Sequence, residues 1–293
     1  MMWQNFRPAF PLPEPSPVPM STARKRTTPG RPSRLPPRGT QSIGRTVALL
    51  KVLGTRRQIG WRLTDIAAQC GLSTSTAYRI LTSLAAMRLV RQRPQDKRYV
   101  PGPALYEMAL TVPSYFQFQA ACHAELLQIS QKTRWVVFLA LRSGEEVVCA
   151  DRVGSTTVNL MNEVGRKVPL AGSALGVAML LRLPPGERRR LLAASRRALR
   201  SNPAHRGRTY EAMWQCSQRL GVGINLGNIL PGGASLGVPI VNRQGAPVAA
   251  ISVAGPLAEF TERRIAAVTA LLKEAAARIE RDQAELVADL EAG

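Results

Sequence analysis

The chain has 293 residues, with 40 Lys or Arg against 19 Asp or Glu, a formal charge of +21. Its length suits about two domains, its 45% apolar fraction supports ordinary cores, and no run nears the ~18 apolar residues of a membrane span or forms the h-region of a secretory signal, so no membrane partner is expected. Cys70, Cys122, Cys149 and Cys216 lie far apart without a CxxC pair, and the histidines are only His123 and His205, which excludes a zinc finger or ribbon, leaves no metal site or cofactor in view, and suits a reduced, cytoplasmic protein.

Residues 1–40 hold ten of the 22 prolines, with seven basic residues and one acidic. Such a segment cannot sustain helix or sheet and reads as a disordered Pro/Arg-rich tail. Pro29-Gly30-Arg31-Pro32 has the core of a minor-groove hook, although a plain solubilising tail is the simpler reading. Met20-Ser21-Thr22-Ala23-Arg24-Lys25 looks like a natural start, which raises the question of whether residues 1–19 are translated. Residues 41–110 carry eleven basic and three acidic residues, whereas 111–293 carry twenty-two and fifteen. Charge density therefore points to the N-terminal side for a polyanion partner. An Arg bias inherited from a GC-rich genome fits the C-terminal part better than residues 41–110.

Ile43, Val47, Leu50 and Leu53 recur at i, i+4, i+7 and i+10 and predict an amphipathic helix that Gly54 ends. Thr64 is positioned to cap a short helix with Ile66, Ala67 and Cys70 in its stripe. Gly71-Leu72 makes a tight turn, and Ser73 or Thr74 caps a third helix to about Met87, burying Ala77, Ile80, Leu81 and Leu84. Short helix, Gly turn and capped helix have the spacing of a helix-turn-helix. At about 100° per residue, Ser75, Arg79 and Thr82 lie opposite the buried face, with Tyr78 at its flank. That face has no carboxylate, and its small hydroxyls with one Arg suit the major groove, where Arg can donate two bonds to guanine. Arg91, Arg93, Lys97 and Arg98 then sit on or near the tip of a hairpin, a wing able to reach phosphate or minor groove. A helical hairpin used for dimerisation is the bland alternative.

Pro101-Gly102-Pro103 and Pro113 mark the next boundary. Beyond it, strand-like runs at 135–141, 146–150, 236–241 and 247–253 alternate with helical stretches at 115–131, 172–183, 187–199, 209–220 and 260–290, predicting an α+β or α/β domain. Pro169 to Leu175 leads into an apolar helix. Its small residues either expose backbone N–H groups to an anion or simply let the helix pack closely on the sheet. The run from Gly232 to Pro239 lacks GxGxxG spacing before a helix, so no nucleotide site is expected. Ser252, one hydroxyl in an apolar strand, ordinarily bonds to local backbone.

Residues 41–102 closely resemble the N-terminal domain of the IclR family of bacterial transcriptional regulators. The likeness rests on Ser42-Ile43-Gly44-Arg45, Leu63-Thr64-Asp65-Ile66-Ala67, Gly71-Leu72 with Ser75-Thr76-Ala77-Tyr78-Arg79-Ile80-Leu81, and Arg98-Tyr99. It continues through Asp151-Arg152-Val153, the run from Val164 to Leu170, Ser173-Ala174-Leu175-Gly176, and Pro239 with Gly245 and the run from Ala249 to Val253, about 250 residues in all. The resemblance implies an α+β protein with a winged helix-turn-helix at 41–102, a linker helix at 103–131 and a GAF-like effector-binding domain at 132–293. It implies double-stranded operator DNA as partner, a small organic effector, and a homodimer or dimer of dimers. Thr74, Ser75, Thr76, Tyr78, Arg79 and Thr82, with the four wing cations, become the candidate DNA contacts. Gly172, Ser173, Ala174 and Leu175, with Asn225, Ser235 and Ser252, become the candidate effector contacts.

The departures bear on details. Ser73-Thr74 replaces a frequent Pro-Lys, Val177 a common Lys, Asn225 a residue that is often acidic, and Ala254 a Ser found in some members. Arg88 stands where Gly usually ends the third helix; in a left-handed cap this costs about 1 kcal/mol, so a rebuilt cap is expected. An apolar face of Leu105, Met108, Ala109 and Val112 makes the segment from Pro103 to Ser130 the expected dimer contact. An enzyme is the rival class, but no HExxH, GxSxG, Walker loop or paired carboxylates appear, and adjacent Cys122 and His123 do not face each other on a helix. A nonspecific architectural DNA binder would need no pocket-bearing second domain.

Overall fold

The structure is a computed structural model describing residues 41–56, 59–154, 163–201, 210–229 and 231–290. The expected tail, its hook, the Met20 start and His205 lie outside the described residues.

Three helices open the described residues: α1 (Gln41–Leu53), α2 (Leu63–Cys70) and α3 (Thr74–Ala86). The hairpin β1 (Val90–Gln92) and β2 (Tyr99–Pro101) follows, and Trp61 adds an antiparallel bridge to Tyr99. Leu49, Leu53, Trp61, Ile66, Leu81, Leu84, Val90 and Tyr99 form their shared core. The apolar stripe expected on α1 is divided. Leu49 and Leu53 are buried, whereas Ile43 and Val47 remain 62% and 44% exposed, because the small core meets only one side of the helix. Thr64 caps nothing; α2 begins one residue earlier, after an extended Arg62. Gly71 ends α2 at φ 63°, the left-handed conformation that turns the chain into α3. The cap after α3 is not rebuilt. Arg88 holds φ 60°, Leu89 N–H bonds to Leu84 C=O at 2.9 Å, and the Arg88 side chain reaches Glu107 at 2.5 Å.

The expected linker helix is two helices, α4 (Pro103–Ala109) and α5 (Pro113–Thr133). Proline fits the first turn of a helix but not its interior, so Pro103 and Pro113 each start one. The rest comprises β3 (Val136–Ser143), β4 (Glu146–Val153), β5 (Lys167–Pro169), α6 (Ala174–Arg182), α7 (Pro185–Ser201), α8 (Tyr210–Leu220), β6 (Gly223–Leu226), β7 (Gly233–Val241), β8 (Pro247–Pro256), α9 (Glu262–Asp282) and α10 (Ala284–Asp289). The helix expected over 260–290 breaks at Gln283, and the short strands β5 and β6 went unforeseen. The strands form one antiparallel sheet in the order β5-β4-β3-β8-β7-β6.

Both faces of this sheet are covered, so its central strands read as continuous apolar runs. Val137, Leu139, Ile251 and Val253 face a core with α5, α9 and α10. Val136, Phe138, Ala140, Ala250 and Ala254 face a second core with α6, α7 and α8. Alternation along each strand assigns the two sets. The α5 side is tied where Trp135 stacks on Phe260 at 4.1 Å and donates to Glu259 at 2.8 Å, with Arg264 over its ring. On the other side α6 lies unusually close to the sheet. A Cβ on Gly223 would sit 1.9 Å from Ala174 C=O, so only glycine permits this approach.

Candidate nucleic-acid interface and effector site

Helix α3 presents the expected face. Ser73 takes the capping position, its Oγ accepting from Thr76 N–H at 3.2 Å, and Thr74 is the first helical residue. Ser73 Oγ also donates to Thr76 Oγ1 at 2.8 Å and lies 3.2 Å from Ser75 Oγ. Half-buried Thr76 therefore serves the cap, while Thr74, Ser75, Tyr78, Arg79 and Thr82 are exposed. Ala77, Leu81 and Leu84 point to the core. With no carboxylate among those exposed residues, the Arg79 side chain has no acidic partner among the described residues and stands free to meet a base edge.

The wing separates its four cations into two pairs. Arg93 binds Asp96 through Nε at 3.2 Å and Nη2 at 2.6 Å, and also donates to Ile59 C=O. Arg98 donates to Gly60 C=O at 3.1 Å and approaches Asp96 at 3.5 Å. The Arg93 guanidinium beside Asp96 holds its carboxyl below the usual carboxylate value. Arg93 and Arg98 thus tie the wing to the 59–60 segment. Arg91 and Lys97 are exposed and make no side-chain bond among the described residues, so they are the two wing cations left free of the fold. The sequence hides this division because Asp96 and the 59–60 carbonyls converge only in the fold.

The effector candidates gather on the sheet face that α6 covers. Register places Asn225 opposite Ser235 and Ser235 opposite Ala254 in one row; Gly237 lies opposite Ser252, and Ser252 opposite Phe138, in the next. Ser252 is 2% exposed, and among the described residues neither its hydroxyl nor that of Ser235 has a hydrogen-bond partner. Asn225 Oδ1 accepts from Ile229 N–H at 3.1 Å, so its carbonyl holds a turn and its amide nitrogen remains as donor.

The 172–175 residues contribute differently. A Cβ on Gly172 would meet Leu199 of α7 at 3.2 Å, so this glycine backs onto a helix. Ser173 caps α6 by accepting from Gly176 N–H at 3.1 Å, Ala174 rests on the sheet and Leu175 is in the core. Close packing is therefore realised, and only the Ala174 and Leu175 N–H groups are left to offer a ligand. One residue escaped the sequence reading. Arg152 lies opposite Phe138 on the same sheet face, its guanidinium 5.8 Å from the ring centroid. Its place in the Asp151-Arg152-Val153 motif, with the alternation of β4, is the signal that could have found it.

Among the described residues the cysteines and His123 form no nucleophilic centre. Cys122 is buried, and burial pushes its thiol up to about 12, with Asp151 and Glu125 adding to the shift. His123 Nδ1 lies 2.7 Å from Asp151 Oδ2 and so joins α5 to β4. Among the described residues no cluster of His, Cys, Asp and Glu could hold a metal ion, and no helix is long and apolar enough to cross a membrane.

Comparison with known proteins identifies the two domains. The IclR helix-turn-helix domain matches residues 42–94, and the family described as bacterial transcriptional regulator IclR C-terminal matches residues 114–281. The chain is 31% identical over 204 residues to SauR of Cupriavidus necator, covering 68% of this chain and 80% of that one. An IclR-type regulator from Alicyclobacillus acidocaldarius shares the fold with a TM-score of 0.66 and 23% identity, over 82% of this chain and 97% of that one. An IclR homologue of Microbacterium hydrocarbonoxydans, solved in complex with 4-hydroxybenzoate, superposes with a TM-score of 0.63 and 22% identity, over 82% and 98%. A helix-turn-helix followed by a GAF-like α+β domain, matched along both parts, makes this chain a member of the IclR family of bacterial transcriptional regulators, not an enzyme.

Proposed function

We propose that this regulator binds its operator sequence-specifically, as a cytoplasmic homodimer or dimer of dimers, and that a small organic acid changes that binding. In this reading residues 41–102 bind DNA, 103–131 link, and 132–293 receive the effector. The observation that carries the effector half is Ser252, a buried residue whose hydroxyl has no partner among the described residues, on a face that also holds Ser235, the Asn225 amide and Arg152. Two hydroxyls, an amide donor, two helix N–H groups and one cation amid apolar neighbours suit a carboxylate on a small apolar body. The 4-hydroxybenzoate in the Microbacterium relative is an acid of this kind. Asn225 favours an acid further, because a carboxylate there would repel one.

The dimer half rests on apolar surface without cover. Tyr106, Met108, Leu110, Val112 and Phe116 of the α4–α5 segment are exposed, as are Ile43 and Val47. Sedimentation at micromolar concentration is expected to give a dimer or larger species, and a monomer that still binds DNA tightly would refute it.

A thermal-shift series with 4-hydroxybenzoate and related small carboxylic acids tests the effector reading. The acid that stabilises the chain is then titrated against operator binding. Ser252→Ala and Asn225→Asp are each expected to raise the midpoint while leaving ligand-free operator affinity near that of the parent. Unchanged midpoints in both would remove these residues from the site.

A further inference from the structure

The C-terminal domain's positive charge is concentrated on one helix. Helix α7 carries Arg188, Arg189, Arg190, Arg196, Arg197 and Arg200 against one acid, Glu187, a net of +5. Residues 111–293 as a whole carry only +7. The other long surface helix, α9, instead interleaves five cations with four acids, and its Arg264 and Arg278 pair with Glu259 and Glu125. A genome-wide Arg bias would not gather on one helix and leave its neighbours balanced.

The placement is as selective as the count. Leu191, Leu192, Ser195 and Leu199 are buried and fix the inward side of α7. At about 100° per residue, Arg189, Arg190, Arg197 and Arg200 fall within about 100° of arc on the opposite side, along about 16 Å of helix. All four are exposed, and none has a salt bridge among the described residues. Arg196, at the stripe's edge, pairs with Glu211 at 2.5 Å. Glu187 is drawn inward to the buried Arg142, again at 2.5 Å, so α7's own acid does not oppose the stripe. Ala193 lies at its centre, leaving the four guanidiniums proud of the surface.

We propose that this α7 arginine stripe is a second, sequence-independent DNA contact, separate from the winged helix and made to the phosphate backbone. Guanidiniums pair bidentately with phosphate, and duplex DNA presents one charge per about 1.7 Å of axis, so a 16 Å row meets a continuous acceptor. A protein partner fits the face less well. Protein interfaces are anchored by buried aromatic or apolar side chains, and no large apolar residue of α7 is exposed. The inference rests on the chain being a DNA-bound regulator, which keeps a polyanion at hand.

The test compares the full chain with R189Q/R190Q/R197Q/R200Q on a mixed-sequence duplex of about 60 base pairs, reading log affinity against log salt. Glutamine retains helix propensity and leaves the buried side untouched, and an unchanged thermal midpoint verifies the fold. The Gln variant is expected to lower the slope by about 2–4, since each lost phosphate contact removes about 0.9. The four Arg→Lys replacements are expected to keep most of the slope. An unchanged slope in the Gln variant overturns the proposal. So does a result in which the slope is unchanged but polyglutamate retains the parent and releases the variant, which would assign α7 to an acidic protein. Arg91→Ala with Lys97→Ala, measured on the same duplex, probes the winged domain independently. A slope lost there but not in the α7 variant keeps the regulator and removes only the stripe.

Discussion

The division of labour in the wing makes a prediction that the sequence by itself would have made differently. Four cations lie between 91 and 98, but Arg93 and Arg98 are held by Asp96 and by the carbonyls of Ile59 and Gly60. Exposed Arg91 and Lys97 have no such bonds and are the two expected to meet phosphate. Each phosphate contact contributes about 0.9 to the slope of log affinity against log salt. Arg91→Ala with Lys97→Ala should therefore flatten the slope by about 1.8 per bound protomer. Between 50 and 200 mM salt that difference amounts to about 12-fold less loss of affinity. Arg93→Ala with Arg98→Ala should leave the slope near that of the parent and instead loosen the wing, seen as faster amide exchange over 93–99. In Arg93→Ala the Asp96 carboxyl should also titrate closer to its ordinary value, since the Arg93 hydrogen bond is the leading cause of its depression. The linkage follows the usual sign for a lowered acid: the pair supports the wing above the unfolded carboxylate pKa, and that support is lost as pH falls through the lower folded value. Fluorescence titrations on a mixed-sequence duplex at several salt concentrations make the comparison. Equal flattening by the two double variants would refute the assignment.

Arg79→Ala should cost about 1–3 kcal/mol at the operator and relax preference at one base position; selection from a random library would show this, and an unaltered preference would move the reading head elsewhere. Gly223→Ala should destabilise by about 1–3 kcal/mol, because its Cβ would lie 1.9 Å from Ala174 C=O and displace α6; an unchanged denaturation midpoint would contradict the close contact. Cys122, with its thiol pushed up to about 12, should resist iodoacetamide at pH 8 in the native protein and react on unfolding, as peptide mapping would report.

The order of elements was legible because local rules dictate it. Gly71 needs a left-handed turn, Ser73 can cap α3, and Ala77, Leu81 and Leu84 recur at helical spacing, so the helix-turn-helix follows from nearest neighbours along the chain. The long strands were visible too, since apolar runs buried on both faces leave few alternatives. Proline announced its own breaks less clearly. Pro113 splits the linker by starting a new helix, a role that a pattern search can mistake for an interruption at the edge of one.

What the chain order could not decide is which side of each element meets another. Ile43 and Val47 share a stripe with Leu53, yet only the packing of α2 and the wing decides that α1 buries Leu49 and Leu53 and leaves the other two to solvent. Arg93, Asp96 and the 59–60 carbonyls are separated by up to 37 residues, so their bonds exist only once the hairpin closes. The same holds for the candidate effector face. Asn225, Ser235, Ser252 and Arg152 come from four strands, and antiparallel register alone sets them on one side of the sheet beneath α6. Residue type and spacing are short-range properties that the sequence carries directly; register, burial and pairing depend on contacts between distant segments, which only the tertiary structure supplies.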